Sequence, residues 1–347
     1  PPPPPPPSPP PAPPPPADAQ LPMLALAQSR GAAWGYVYGV LLLLAMFGTA
    51  LSSLVAFVSM LAAKSARISG HKNKFTALCA LCMFLGSLFG FGDLIGKLTC
   101  LNDWELARII NGEHYCHNIV TLVRECVADV IKEAPKIKQR DPETLGSVMR
   151  GLVLSGAAIS LYGDSRPASG AEHHMSHYWE TILEQRGIRP AMHGEQVAVG
   201  TVLVLMLIEE LLKENIDFDA ARESARAYNS AAWELEIRAH YGAAADEVIA
   251  LEQKAGKNNI EGRLARIDSM QRSWDAVRVQ LETLPESSSV RALLRDIGCP
   301  CTPADIGVDD ELLMDTFRYC KEIRARYTVF QTVYDLGLTD KLAARVI

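Results

Sequence analysis

The sequence predicts a mainly α-helical domain that begins near Asp93 and runs to the C-terminus. Amphipathic segments with helical spacing follow one another through this region, and none of it shows the period-two alternation of a half-buried strand. Within the apolar segment Glu195–Lys213, residues Val197–Ile208 are apolar on every side, which is typical of a helix buried in the core. These observations predict a helical body of about 250 residues.

Several of the predicted helices have recognisable starts. Asp141 and Pro142 provide an N-cap and a first-turn proline for a helix that runs to about Ser160. A further helix is predicted from Glu172 onward, because no residue after it breaks a helix. The remaining predicted helices are Asp103–Ile110, Ile119–Lys132, Glu195–Lys213, Ala220–His240, Ala243–Gln253, Asn259–Glu282, Ser289–Asp296, Asp309–Arg326 and a short one over Leu338–Ile347.

Residues 1–30 form a separate N-terminal tail, and residues 1–17 of it are almost entirely proline. Such a tract adopts an extended polyproline II helix and builds no core. It is either a disordered stalk or a ligand for a groove of the SH3 or WW type. The chain starts with Pro rather than Met, so we expect it to be processed, trimmed or incomplete.

Residues 31–92 form an apolar region with a basic linker. No residue between Arg30 and Lys64 is charged, and this run exceeds the ~20 apolar residues that a helix needs to cross a bilayer. We therefore expect a transmembrane helix within residues 31–63 that anchors a cytoplasmic domain; alternatively, the region is foreign to the domain behind it. A second apolar run, residues 75–92, is either another span or a buried segment. The basic residues, placed as on a cytoplasmic flank, are Lys64, Arg67, Lys72 and Lys74.

The formal net charge of −6 is unevenly distributed along the chain. One acidic and five basic residues precede Asp93, so the remainder carries about ten excess acidic residues. This acidic body argues against nucleic-acid binding, which requires a basic surface. The eight cysteines are mostly scattered among helical segments, which indicates a reduced intracellular protein rather than a disulfide framework.

A histidine-rich segment, Ser165–His177, combines a Pro- and Gly-containing loop with the start of a helix. His173 and His177 are four residues apart, so a helix places them on one face. Two imidazoles at this spacing can share a metal ion, or one can bind metal while the other meets a substrate. The alternative is a pair of surface or capping histidines.

Two further residues extend this pair to a candidate metal site. His193 precedes the long buried helix, and we expect a loop to carry it to the edge of the core. Asp93 follows a Gly-Phe-Gly turn and leads into a helix. One Asp with two His gives three ligands and leaves positions open for a substrate, as in catalytic metal sites. Taken singly, Asp93 could be an N-cap and His193 a hydrogen-bond donor in a loop.

Eight short segments of the chain stand out together: Gly90–Lys97, Asp103–Leu106, Gly112–Cys116, Ser165–His177, His193–Val197, Gly298–Pro303, Ile323–Thr328 and Asp335–Gly337. Taken in order, they closely resemble the glycerol-1-phosphate dehydrogenase family, within the iron-containing alcohol dehydrogenase and glycerol dehydrogenase superfamily. The resemblance runs from about Phe89 to the C-terminus. It implies a helical metal-binding domain of the dehydroquinate synthase and iron-containing alcohol dehydrogenase type over residues 93–347.

The resemblance also implies roles for individual residues. Asp93, His173 and His193 match the ligands of a divalent metal; zinc is the expected ion, with nickel or iron as alternatives. Asp93 and His177 match substrate-contacting positions. His174 matches no ligand position.

Arg166 lies in the loop before the histidines, and we regard it as a candidate for holding the substrate phosphate. The alternative is an arginine that packs between helices.

The activity implied by the resemblance is reduction of dihydroxyacetone phosphate to sn-glycerol 1-phosphate with NAD(P)H, a step of phospholipid metabolism. A small-molecule substrate and a homo-oligomer are implied as well. The family carries an α/β nucleotide-binding domain before the metal-binding Asp, but residues 1–92 contain no Gly-x-Gly-x-x-Gly loop. We therefore expect the cofactor-binding half to be missing and assign no cofactor-binding residue. The competing hypothesis is an inactive, membrane-anchored metal-binding or scaffold protein that lost this half.

Overall fold

The computed structural model describes residues 90–139 and 141–347, without the side chains of Pro142 and Leu145. Every regular element in these ranges is a helix and none is a strand, which confirms the mainly α prediction. The α-helices are α1 Phe91–Asn111, α2 His117–Glu133, α3 Pro142–Tyr162, α4 Ala171–Gln185, α5 His193–Leu212, α6 Phe218–Arg226, α7 Ser230–Tyr241, α8 Ala245–Ala255, α9 Ile260–Leu281, α10 Ser287–Ile297, α11 Asp310–Tyr319, α12 Val329–Asp335 and α13 Thr339–Val346.

Helix α5 lies at the centre of the domain, as its apolar sequence predicts. Its residues from Gln196 to Leu211 are buried almost without interruption, and it packs against α1, α4, α10 and α13. The largest cluster of buried apolar side chains includes residues of α5 together with Trp179 of α4 and Phe317 of α11. A helix that is apolar around its whole circumference must be covered on all sides, and these neighbours provide that cover.

The predicted helix Ala220–His240 is in fact two helices, α6 and α7. The break falls at Asn229, whose side chain accepts hydrogen bonds from the backbone N–H groups of Ala231 and Ala232, at 3.0 Å each. An Asn in this position caps the N-terminus of a new helix and therefore marks a boundary.

The predicted helix Asp309–Arg326 is too long, since α11 ends at Tyr319. The chain continues as a 3-10 turn, Cys320–Ile323, and α12 follows, which the sequence did not predict. The start of α12 depends on a distant residue, because the backbone N–H of Val329 donates to Asp103 Oδ1 at 2.7 Å. Asp103 is fully buried, and its Oδ2 also accepts from the N–H of Ala171 at the start of α4.

Helices α1 and α5 approach each other closely through glycine. A Cβ atom at Gly92 would collide with the carbonyl oxygen of Gly194, so only glycine fits this contact. One turn further along α1, a Cβ at Gly96 would lie 2.7 Å from a methyl carbon of Val197. This contact brings the first turn of α1, which contains Asp93, against the first turn of α5.

No helix within residues 90–139 and 141–347 is long and apolar enough to cross a membrane. The predicted polyproline tail, the transmembrane helix within residues 31–63 and the basic linker all lie outside the described residues. The six cysteines of the described part are free thiols.

Candidate metal centre

The first turns of α1, α4 and α5 meet at one point. They bring together Asp93, His173 and His193, and one potential ligand atom from each lies within 4.8 Å of the other two. The Nε2 atom of His173 is 3.2 Å from Asp93 Oδ1, and the rings of His173 and His193 are 5.2 Å apart between centroids. The three residues that the sequence analysis assigns to the metal are therefore adjacent in the fold.

His193 occupies a different local structure from the one expected. It is the first residue of α5 rather than part of a loop. The helix starts earlier because the Glu195 side chain accepts a hydrogen bond from the backbone N–H of Met192, at 3.0 Å. This carboxylate satisfies one of the free N–H groups at the helix start. Asp93 likewise lies within the first turn of α1 and is not its N-cap, which is Gly90.

His173 is held by a buried carboxylate. Its Nδ1 atom is 2.7 Å from Glu172 Oε1, and the same carboxylate accepts from the hydroxyl of Thr99 and the N–H of Gly170. Burial opposes ionisation of Glu172, but the hydrogen bonds from His173 and Thr99 hold its pKa below the ordinary value. With Nδ1 turned to Glu172, the Nε2 atom of His173 is directed at Asp93 and is available as a ligand.

Asp93 is kept in its charged form by Lys97. The Lys97 ammonium, almost fully buried, lies 3.1 Å from Asp93 Oδ2 and donates a 2.7 Å hydrogen bond to the carbonyl of Ala168. Burial acts to raise the pKa of Asp93, but Lys97 and His173 together lower it below the ordinary value. A metal ligand must be deprotonated, and this surrounding favours the carboxylate.

His177 lies one turn after His173 on α4, as the spacing predicts. Its ring centroid is 6.2 Å from that of His173 and 5.4 Å from that of His193. Its Nδ1 atom is 3.0 Å from Glu180 Oε2, and the other oxygen of Glu180 is 3.1 Å from His193 Nδ1. His177, Glu180 and His193 thus form a second set of three groups whose ligand atoms lie within 4.8 Å of one another.

A cleft of about 320 Å³ opens beside these residues. Its charged and ionisable lining consists of Asp93, Lys97, His173, His177 and Arg324, and Ser165 and Ser169 add hydroxyl groups. The arrangement offers ligands for a cation next to groups that can hydrogen-bond an oxygen-rich or anionic molecule.

Arg166 does not face this cleft with free donors. It is 2% exposed, and its guanidinium makes two hydrogen bonds to the carboxylate of Glu113, at 2.8 and 3.1 Å. Two further hydrogen bonds reach the carbonyl oxygens of Tyr327 and Asp103. These contacts fix the loop before α4, and the role of Arg166 in binding phosphate stays a prediction.

His174 is fully buried and belongs to neither set of potential ligands. Neither of its ring nitrogens has a hydrogen-bond partner within residues 90–139 and 141–347. Burial lowers the pKa of His174 well below the ordinary value, so the ring is neutral.

Two residues at this site were not predicted from the sequence. Glu180 follows His177 by three residues, a spacing that on its own indicates an ordinary helix-surface ion pair. Arg324 lies in one of the family-like segments, but nothing local connects it with Asp93 or His177. Both are placed at the site by the fold.

Comparison with known proteins gives a consistent result. No family model matches the chain. Several curated relatives are named glycerol-1-phosphate dehydrogenase (NAD(P)+). The one from Bacillus licheniformis is 26% identical over 256 residues, which cover 74% of this chain and 51% of the relative. The one from Thermococcus sibiricus is 37% identical over 150 residues, covering 43% of this chain and 40% of the relative. The one from Pyrococcus furiosus is 40% identical over 118 residues, covering 34% of this chain and 33% of the relative.

The chain spans about half the length of the curated relatives it matches. These relatives, at 26–40% identity, cover its C-terminal region, where the helical fold and the candidate metal centre lie. The C-terminal region of this chain is therefore similar to curated glycerol-1-phosphate dehydrogenases, which supports the resemblance to that family.

Proposed function

We propose that this chain is the metal-binding part of a metal- and NAD(P)-dependent sn-glycerol-1-phosphate dehydrogenase, which interconverts glycerol 1-phosphate and dihydroxyacetone phosphate. The observation that carries the proposal is the convergence of Asp93, His173 and His193 beside a cleft, in a region whose curated relatives carry that name. The hydride donor, NAD(P), is taken from the names of the relatives. We assign its binding to no residue of the described ranges.

The metal would be held by Asp93, His173 and His193, with zinc as the expected ion. The donor set fits, because it contains one carboxylate and two imidazoles, and Glu172 orients the first imidazole. When bound, a divalent ion supplies Lewis-acid polarisation of the substrate oxygen at C2. Lys97 keeps Asp93 ionised and so maintains the charge that retains the ion.

His177 is the proposed group for the proton on the substrate oxygen. Its Nδ1 atom faces Glu180, so Nε2 is the nitrogen left for the cleft. A histidine there can hold or release a proton as the carbonyl is reduced or the hydroxyl is oxidised.

Arg324 is better suited than Arg166 to bind the substrate phosphate. Arg324 lines the cleft with Asp93 and His177, and within the described ranges its guanidinium has no hydrogen-bond or ion-pair partner. The other cation in the lining, Lys97, is already bound to Asp93 and to the carbonyl of Ala168. A guanidinium with free donors can bind phosphate through two hydrogen bonds, which the occupied donors of Arg166 cannot.

The test uses the purified full chain loaded with zinc. Calorimetry should detect binding of sn-glycerol 1-phosphate, with the enantiomer sn-glycerol 3-phosphate binding more weakly. Arg324→Gln should weaken that binding by about tenfold, since it loses roughly 1.5 kcal/mol of charge-assisted hydrogen bonding. The control Arg295→Gln removes an exposed arginine of α10 that does not line the cleft and should bind as the wild type does.

A parallel assay follows oxidation of NAD(P)H with dihydroxyacetone phosphate. Zinc binding without either substrate binding or turnover would overturn the dehydrogenase proposal and favour the scaffold alternative.

A further inference from the structure

Glu180 bridges two histidines that belong to different helices. Its Oε2 atom lies 3.0 Å from Nδ1 of His177 on α4, and its Oε1 atom lies 3.1 Å from Nδ1 of His193 on α5. We propose that Glu180 is a positioning residue of this site, which orients the proposed metal ligand His193 and the proposed substrate-facing His177 together. This inference rests on the proposed function. It specifies how the metal ligand His193 and the substrate-facing His177 are kept in the orientations that this function requires.

The contact through Nδ1 decides what each ring can do. A neutral imidazole has one N–H and one free lone pair, and a carboxylate at Nδ1 stabilises the tautomer with its proton there. The lone pair then resides on Nε2. At His193 it is available to a metal ion, and at His177 it can accept a hydrogen bond from a substrate hydroxyl. Without the carboxylate, either ring can turn or change tautomer and present an N–H where a lone pair is needed.

The third histidine of the site shows the same arrangement independently. Nδ1 of His173 is 2.7 Å from Glu172 Oε1, so each of the three histidines contacts a carboxylate through Nδ1. Glu172 is fully buried and contacts one ring, whereas Glu180 is half-buried and contacts two. Removing Glu180 therefore acts on the metal side and the substrate side at once.

The two rings do not depend on Glu180 equally. Nδ1 of His193 has a second partner, the hydroxyl of Ser176 at 3.1 Å, which itself donates to Gln196 Oε1. For Nδ1 of His177, Glu180 is the partner that the described residues provide. Loss of Glu180 should therefore reduce substrate affinity more than metal affinity, which a general loss of structure would not do.

The experiment compares Glu180→Gln with Glu184→Gln in the full chain. Glu184 lies one turn later on α4 and is exposed, so its substitution removes the same charge on the same helix without touching either histidine. For each variant, zinc affinity and stoichiometry come from competition with a chelating dye. The Co²⁺ absorption spectrum reports ligand geometry, calorimetry gives sn-glycerol 1-phosphate affinity, and the melting temperature reports folding.

We expect Glu180→Gln to bind one zinc ion about tenfold more weakly, with an altered Co²⁺ spectrum. The affinity of the zinc-loaded variant for glycerol 1-phosphate should fall further than its zinc affinity, by up to about 100-fold, with an unchanged melting temperature. Glu184→Gln should match the wild type in all four measurements.

Equal zinc and substrate affinities in Glu180→Gln and wild type would overturn the positioning role while leaving the dehydrogenase proposal intact. Two zinc ions per wild-type chain and one per Glu180→Gln chain would also overturn it, because Glu180 would then be a metal ligand in the set with His177 and His193. If the wild type binds zinc but no glycerol 1-phosphate, the dehydrogenase proposal fails. In that case, the zinc affinities and Co²⁺ spectra of the two variants still decide whether Glu180 orients His193.

Discussion

Two groups of buried charges in this domain differ in whether their charged groups are fully paired with one another or face a cleft. The interior cluster, defined by Arg263, Arg266 and Asp335, is closed: both oxygens of the fully buried Asp335 accept from arginine, at 2.6 to 3.3 Å. The cleft cluster, defined by Asp93, Lys97, Glu172 and His173, is open. Its Asp93 is 26% exposed and, together with His173, faces a cleft.

The difference shows which property of buried charge indicates a site. Burial and ion pairing are common to both clusters, so neither separates them. Only the cleft cluster leaves an ionised carboxylate and a ring nitrogen beside open space, where a cation can complete their coordination. The interior cluster has no such opening, and we assign it to joining α9 with α12.

The strongest test of this contrast is His173→Ala. It removes a proposed ligand from the cleft cluster, and we expect zinc affinity to fall by more than about 100-fold, beyond the effect of losing a residue that only orients a ligand. Equilibrium dialysis followed by metal analysis measures the zinc affinity of the variant. The control is His174→Ala, which alters the adjacent buried histidine outside both ligand sets and should lower the melting temperature while retaining zinc. Zinc retention by His173→Ala would remove His173 from the proposed ligand set.

The interior cluster should respond in stability rather than in metal binding. Asp335→Asn leaves Arg263 and Arg266 without their carboxylate, and we expect the free energy of unfolding to fall by about 3–5 kcal/mol. Urea denaturation measures this loss, and the zinc affinity of the folded variant should be unchanged. Asp340→Asn is the matched control: Asp340 is 70% exposed and pairs with Arg318 at the surface, so its loss should cost less than about 1 kcal/mol. Equal losses in the two variants would contradict the assignment of Asp335.

A smaller effect is expected from pH at another buried group of charges, around Glu322. Burial opposes ionisation of this carboxylate, but Lys321, Lys257 and Asn258 hold its pKa at about 2, against an ordinary 4.5. Because the folded pKa is the lower one, the stabilisation is complete above pH 4.5 and is lost as the pH falls toward 2. Glu322 contributes at most about 1.4 kcal/mol per pH unit in this window. Urea denaturation at several acidic pH values should show a shallower fall in Glu322→Gln; identical slopes would argue against the lowered pKa.

Local sequence signals account for much of the fold. The apolar run of α5 and the Asp-Pro start of α3 need no tertiary information, and the structure contains both. The errors lie where a distant side chain decides the local structure. The start of α12 depends on Asp103, more than two hundred residues earlier in the chain.

The candidate site was accessible from the sequence only through its family-like segments. Spacing alone links His173 to His177, but Asp93 and His193 come from other helices. The role of Arg166 could not be decided locally, because its partners Glu113 and Tyr327 lie far from it in the sequence. Glu180 was missed since its second contact, to His193, crosses from α4 to α5.

The glycine contact between α1 and α5 has a consequence for how the domain can vary. Gly92 meets the main chain of Gly194, so the separation of these helix ends is set by backbone atoms and not by side-chain volume. Apolar residues deeper in α5 can then be exchanged and repacked without moving Asp93 relative to His193. Substitutions in the hydrophobic core can therefore accumulate while the distance between the candidate ligands stays the same.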